Sequence, residues 1–535
     1  MKINSMNHCS FKGSYYFTSD MHTNPVSAIG LFQKIEDSAK GRNCIFVDNG
    51  DAYTIGKDDL MTDVYTTFVK RNKNIQAIFN LGNVEFSCLA KKMGEMNDSL
   101  KKLADAGVKL ICTPIKYMQQ AQNIPEETIE NIEPYAIVKD AINGKEEDVI
   151  IVGTVDLRNI YGYAATDLQT QYLIDVIKKA KEETGIEKII LASHNAIDDT
   201  KQILDNLREQ GIDNIELALG GHSHKIEDET YKNTRILHTA PQGNSAYKIN
   251  SDENGFHMQK VEYDKVNRYD YSMLGTQKNP DIIANTKDNV NGILPDYKKI
   301  IQNTDLLNKI ASCNIKVKNR ESGYKVSMPS ELGTMFANKL KDKTNADIGI
   351  ILSQDVRGDL PDIGETIYKF QTNKLVSANK EVWILNVNGS ELFDIFNVSL
   401  RAQGDKESNS DFLEYSTNLI IERYPNVEKE NINDKEENGY KAGQMRKRRV
   451  KEIYINENNE WKPISKMQDK KFSLATCSFV ANGLRPSIMY FQNIKDKYTF
   501  EPIIETRTVF EEALAEVQTG KREVEKSIMI DENRE

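Results

Sequence analysis

Long hydrophobic runs are missing: nowhere in the 535 residues is there a stretch near the ~20 apolar residues that span a bilayer. The first residues, Met1-Lys-Ile-Asn-Ser-Met-Asn-His, contain no continuous apolar segment of the kind a secretory leader needs. A cytoplasmic protein without membrane attachment is expected if Met1 is the natural start. Cysteine is sparse and unpaired in pattern. The six (Cys9, Cys44, Cys88, Cys112, Cys313, Cys477) include no Cys-x-x-Cys, which excludes a disulfide framework and a zinc-knuckle spacing. Several sit in apolar runs and read as small buried hydrophobes. Excess positive charge is also absent. A net charge of −10 argues against a nucleic-acid polymer or an anionic membrane as partner. No internal repeat is found.

What is present is ordinary for a globular protein, with 39% hydrophobic and 28% charged residues, at a length that predicts two domains. Short apolar runs at Tyr15–Thr18, Cys44–Val47, Ala77–Leu81, Val108–Cys112, Val149–Val152, Lys188–Ala192 and Ile215–Leu219 read as buried strands. Amphipathic stretches over Thr62–Arg71, Leu100–Ala106, Asp167–Thr184 and Thr200–Gln210 read as helices between them. Such alternation predicts an α/β layered fold. Near 265–285 the chain turns polar, and Val290–Ser312 reads as a helix linking two halves. A second strand-and-helix region follows, with strands expected at Ile348–Leu352, Val382–Val387, Leu419–Glu422, Val450–Ile455 and Phe472–Ala475. Residues 425–447 read as a solvated loop. The run Arg446-Lys-Arg-Arg449 reads as a solvated face, with a polyanion site as the alternative. Val509–Glu535 reads as a charged, helix-like tail.

Polar motifs fall just past the predicted strands, where α/β folds gather their ligands. They are Asp20-Met-His22, Asn49-Gly-Asp51, Gly82-Asn83, His194 and Gly220-Gly-His222-Ser-His224. Asp-x-His alone occurs often by chance. The last motif is more specific, since it places two imidazoles in one tight turn. Any single histidine is more readily a satisfied polar residue at a core edge. Four of only seven histidines at strand ends, in order with two aspartates and an asparagine, argue for metal ligation as a set.

In this order the residues resemble the 5′-nucleotidase/2′,3′-cyclic phosphodiesterase type of metallophosphoesterase, over roughly 14–505. The resemblance implies an N-terminal calcineurin-like αββα sandwich followed by a smaller α/β substrate domain. Its expected boundaries are 12–265, a linker and bridging helix at 266–312, 313–508, and the tail at 509–535. It implies two divalent metal ions (Mn, Zn, Fe or Co). Asp20, His22, Asp51 and His224 would hold one, and Asp51, Asn83, His194 and His222 the other, with Asp51 bridging. A bridging carboxylate can hold two cations ~3.5–4 Å apart, the spacing that clamps a phosphoryl group. The nucleophile implied is a metal-bridging hydroxide, and the substrate a phosphorylated small molecule of the nucleotide class.

The sequence departs from that family at its third motif, Gly-Asn-His-Glu-Phe-Asp, which here reads Gly82-Asn83-Val84-Glu85-Phe86-Ser87. The metal-ligand Asn stays, but the His-Asp dyad is replaced by Val84 and Ser87. Glu85 is the local candidate for a substitute. A positioned acid is worth about 10²–10⁴ in rate, or about 3–5 kcal/mol. Slower chemistry on good leaving groups, such as aryl esters, diesters and anhydrides, is therefore expected. In the second domain the resemblance implies substrate binding by Arg357, in Gln354-Asp-Val-Arg357, and by Phe479, in Phe479-Val-Ala-Asn-Gly-Leu-Arg485. The partner aromatic of the family's base clamp falls at Ser377. The leading expectation is a dinuclear phosphoric-ester or anhydride hydrolase of nucleotide catabolism. The alternatives are a non-catalytic binding module on the same fold, or a hydrolase of sulfur esters or nucleotide sugars.

Overall fold

The structure is a computed structural model that describes residues 13–39, 41–53, 59–90, 94–115, 131–142, 145–157, 165–252, 255–257, 282–284, 293–302, 304–319, 328–356, 358–376, 379–400, 412–424, 449–483 and 486–531. The chain divides into two compact units, 1–265 with 270–304, and 266–269 with 305–535.

In the first unit the apolar runs pair into two sheets. Gly13–Thr18, Cys44–Asp48, Ile75–Asn80, Lys109–Ile111 and Ile132–Glu133 lie side by side in parallel, and Ser245–Asp252 closes the other flank of Gly13–Thr18 antiparallel. The second sheet runs Tyr135–Ile142, Lys145–Val155, Ile189–His194, Ile215–Gly220, Thr234–His238 and Glu227–Tyr231. Its members from Lys145–Val155 to Thr234–His238 are parallel.

Side chains alternate across a strand, and both faces of these strands are buried, each against a different layer. Tyr15, Phe17, Ile45 and Val47 from one sheet meet Val149, Ile151, Ile190, Ala192, Leu217 and Leu219 from the other in one buried cluster. The intervening residues Ile150, Val152 and Leu191 face outward onto Leu173, Ile177, Ile203 and Leu207, from helices Ala165–Thr184 and Ile197–Glu209. On the far side, Phe32 of helix Pro25–Ala39 and Phe68 of helix Asp59–Arg71 enclose Phe46 in edge-to-face contacts. Each such ring contributes about 1.5–3 kcal/mol by leaving water. The layers are αββα, as expected. The layering sets the parallel strands of both sheets so that their carboxyl ends open on one edge.

The second unit is a mixed α/β structure. Ile348–Leu352, Lys471–Cys477 and Val382–Asn388 form the middle of one sheet, and Glu460–Pro463, Val450–Glu457, Leu419–Arg423 and Ile528–Asp531 form another.

Three expectations need correction. Val290–Ser312 is not one bridging helix. Among its described residues only Pro295–Ile301 is helical, started by its proline, and after a turn at Asp305–Asn308 the segment Lys309–Ser312 pairs as a strand with Thr366–Tyr368. Nor is 509–535 a charged appendage. Helix Thr506–Gln518 buries Val509, Phe510, Ala513, Leu514 and Val517 in the second unit's core, and Ile528–Asp531 pairs in parallel with Leu419–Arg423. The charges that dominate its composition occupy the helix's other face and hide this stripe. Arg449, read as part of a solvated run, is fully buried. The loop 425–447 and the rest of that run lie outside the described residues. Cys44, Cys88, Cys112, Cys313 and Cys477 are buried. Among the described residues no helix is long and apolar enough to cross a membrane.

Candidate metal centre

Each motif residue follows a buried parallel strand, so the hydrogen-bond ladder fixes where its loop begins. Asp20 and His22 follow Gly13–Thr18, Asp51 follows Cys44–Asp48, and Asn83 opens the helix Asn83–Ala90 just past Ile75–Asn80. His194 ends its strand, and His222 and His224 follow Ile215–Gly220. The loops are stitched directly: Asp20 N–H donates to Gly50 O at 2.8 Å and His22 N–H to Asp51 O at 2.9 Å. Two glycines allow this approach. A Cβ at Gly50, whose φ is +87°, would lie 2.1 Å from Gly82 N, and one at Gly82 would meet the Asp51 side chain at 2.2 Å.

The backbone there is strained. Asp20, His22, Asp51, His222 and His224 have φ between 46° and 67°, in the left-handed region that non-glycine residues seldom enter. Such outliers persist only where surrounding structure holds them, and they cluster at functional sites.

The side chains converge in two groups. Asp20 Oδ1 lies 3.3 Å from His224 Nε2 and 3.8 Å from His22 Nε2, and the two imidazole nitrogens face each other at 2.7 Å. In the second group His194 Nε2 lies 3.4 Å from Asp51 Oδ2 and 3.9 Å from Asp20 Oδ1. His222 Nδ1 is 2.7 Å from Asn83 Oδ1. In this geometry Asp20 is the carboxylate common to both groups. Asp51 turns Oδ2 to His194, while its Oδ1 accepts the Val84 N–H at 2.8 Å.

The electrostatics follow from burial and charge. Burial alone would raise the Asp20 carboxyl, but His194, His224 and His22 outweigh it and hold it well below the usual carboxylate range. Asp51 is likewise lowered, by His194 and His22 against burial. Burial would depress His194, yet the Asp51 and Asp20 carboxylates lift it to about 10. Burial and the neighbouring His194 keep His222 below its ordinary value.

A divalent cation fits this donor set. His194 is fully buried and its Nε2 has no hydrogen-bond partner. Its Nδ1 faces the Asn49 carbonyl at 2.5 Å, which can only accept, so Nδ1 carries the hydrogen and Nε2 is left toward the carboxylates. Carboxylate, amide oxygen and imidazole together suit Mn²⁺, Zn²⁺, Fe²⁺ or Co²⁺.

Glu85 does not aim its carboxylate into this cluster as a spare acid. It is fully buried and accepts three backbone N–H groups, from Asp51 at 2.9 Å, Gly82 at 2.9 Å and Tyr53 at 3.1 Å. Burial and the charge of Asp51 push its carboxyl up to about 8, against the pull of those donors. It braces the Asp51 loop. Val84 and Ser87, the dyad positions, are half-buried on the same helix.

Two residues near the centre escaped the sequence reading. His238 is buried at the end of Thr234–His238, its Nδ1 3.2 Å from Ser223 Oγ, and burial lowers it to about 4. Asp156 follows Lys145–Val155 and lies 3.5 Å from His222 Nε2. Both sit at strand ends, the rule that found the others, but neither belongs to a motif.

In the second unit Phe479 is half-buried against the core, and Lys380 Nζ sits 4.7 Å over its ring while bonding Asp355 at 2.6 Å. Arg357, Ser377 and Arg485 lie outside the described residues.

Comparison with known proteins agrees with this architecture. Residues 309–490 match the sequence profile of the 5′-nucleotidase C-terminal domain. No curated protein sequence matches the chain. Among solved structures, a 5′-nucleotidase precursor from Thermus thermophilus aligns with a TM-score of 0.62 at 14% identity, over 98% of this chain and 100% of that one. A sulfate thiohydrolase from the same organism gives 0.60 at 11% identity, over 98% and 97%. A 5′-nucleotidase from Candida albicans gives 0.53 at 12% identity, over 94% and 98%. At these identities the likeness establishes the fold.

Proposed function

We propose a metal-dependent hydrolase of phosphoric esters or anhydrides for this chain, whose residues 309–490 match the 5′-nucleotidase C-terminal domain and whose fold is that of two-domain 5′-nucleotidases. The observation that carries the reading is the strained convergence at the strand ends. Five of the seven candidate ligands hold left-handed backbone, and each of the seven has a donor atom within 2.7–3.4 Å of another's. A merely structural polar cluster has no need of that strain.

By the resemblance, Asp20, His22, Asp51 and His224 would hold one divalent ion, and Asp51, Asn83, His194 and His222 a second with Asp51 between them, while Asp20 is the carboxylate that lies beside both groups of side chains. Two such ions supply Lewis acidity toward a phosphoryl group and lower the pKa of water. The chain's own residues do the rest. Glu85 and the Gly50–Gly82 contact hold the Asp51 loop rigid. Val84, in the dyad position, brings no proton to a leaving oxygen. Good leaving groups are therefore favoured over a ribose 5′-oxygen. The class is a nucleotide or related phosphorylated small molecule bound by Phe479 and Arg357.

The test is hydrolysis of bis(p-nitrophenyl) phosphate, AMP, ADP, a 2′,3′-cyclic nucleotide and a nucleotide sugar by the purified chain with Mn²⁺, Zn²⁺ or Co²⁺, against Asp51→Ala. Turnover lost in that variant, fastest on aryl or anhydride substrates, supports the reading. A preference for AMP over the diester contradicts the leaving-group argument. No turnover above the variant favours a binding module instead.

A further inference from the structure

We propose that Asp156 is a positioning residue: it holds the His222 imidazole so that Nδ1 is the metal-binding nitrogen. The inference rests on the metal-centre reading and goes beyond its ligand set, since Asp156 lies in none of the motifs.

The His222 ring is spanned between two oxygens. Nδ1 lies 2.7 Å from Asn83 Oδ1, a fellow candidate ligand, and Nε2 lies 3.5 Å from Asp156 Oδ2. A neutral imidazole has one lone pair and one N–H. If Nδ1 turns its lone pair to a cation shared with Asn83, the hydrogen must sit on Nε2, facing the Asp156 carboxylate. A carboxylate behind a ligating histidine fixes its tautomer and orientation and strengthens its donor nitrogen.

Asp156 is placed to do this rigidly. It is 3% exposed, follows directly on Lys145–Val155, and its N–H donates to His194 O at 3.1 Å. The strand register sets Val155 opposite His194, so the same ladder fixes a ligand and this second carboxylate. His222 needs such a partner. Its own backbone is left-handed, with φ of 67°, and its N–H, 3.2 Å from both Asp20 oxygens, ties it to the carboxylate cluster. Without Asp156 the ring could present either nitrogen.

The experiment is calorimetric titration of the chelator-treated full chain with Mn²⁺, for wild type, Asp156→Ala, Asp156→Asn and Asn83→Ala, with the melting temperature of each before metal. Wild type is expected to take up two ions. Asp156→Ala should weaken one of them about 10–100-fold, the same one that Asn83→Ala weakens, and leave the other and the metal-free melting temperature unchanged. Asp156→Asn keeps an oxygen that can accept from Nε2 and should recover part of the loss. Wild-type affinity for both ions in Asp156→Ala overturns the inference, as does equal weakening of both with a fallen melting temperature. A wild type that binds fewer than two ions overturns the dinuclear reading, and the inference with it.

Discussion

His22 and His224 turn their Nε2 atoms toward each other at 2.7 Å, beside Asp20 Oδ1. Two lone pairs at that distance repel, and two N–H groups clash, so the pair needs one proton or one cation between its nitrogens. His224→Ala should therefore weaken Mn²⁺ binding by about tenfold or more, equal to about 1.4 kcal/mol, in titration of the purified chain. Unchanged affinity would mean that the pair is held by a proton alone.

Val84 and Ser87 stand three residues apart on one helix, a spacing that puts both on one face. Restoring the dyad with V84H and S87D together should raise turnover of an alkyl monophosphate by about 10²-fold or more, the low end for a positioned acid. Aryl phosphate turnover should change much less. The ratio of the two rates measures the effect, and a ratio that does not move counts against proton donation as the missing step.

Glu85 braces rather than donates. Glu85→Gln would set an amide N–H₂ against backbone N–H donors from Asp51, Gly82 or Tyr53. The expected cost is about 1–3 kcal/mol, the range for a buried donor left unpaired, read as a lowered melting temperature. Were Glu85 the acid instead, the melting temperature would hold and the pH–rate profile would lose its basic limb.

In the second unit, burial would raise the Glu512 carboxyl, but Lys343 at 2.8 Å and Lys339 at 3.5 Å outweigh it and lower it. A depressed carboxyl contributes stability above its ordinary value of 4.5 and loses it as pH falls below that. Glu512→Gln should destabilise by less than about 1 kcal/mol at pH 7, because the pair is partly exposed. The difference should shrink as pH falls below 4.5, and thermal melts across that range check it.

Much of the centre was legible because its residues come in motifs after strongly apolar strands. Asp20-Met-His22 is weak by itself and His222-Ser-His224 stronger, but their order after continuous apolar runs such as Tyr15–Thr18 makes the set visible. Asp156 and His238 were not legible, being single residues whose partners are distant in sequence. Glu85 was visible but its direction was not, since three backbone donors from two loops decide it. The segment after Thr506 misled because its charge count conceals a stripe from Val509 to Val517. Lys309–Ser312 misled because pairing with Thr366–Tyr368, a non-local contact, overrides local helical preference.

The most direct test of the account compares bis(p-nitrophenyl) phosphate hydrolysis by wild type and Asp51→Asn as Mn²⁺ is added. Asn tolerates the left-handed φ of 53° at this position, so the variant removes charge while keeping shape. The account predicts turnover that rises with Mn²⁺ in the wild type and falls about 10³-fold in the variant, a loss of several kcal/mol of charge stabilisation. Equal rates in the two proteins, or a wild-type rate indifferent to Mn²⁺, would contradict it.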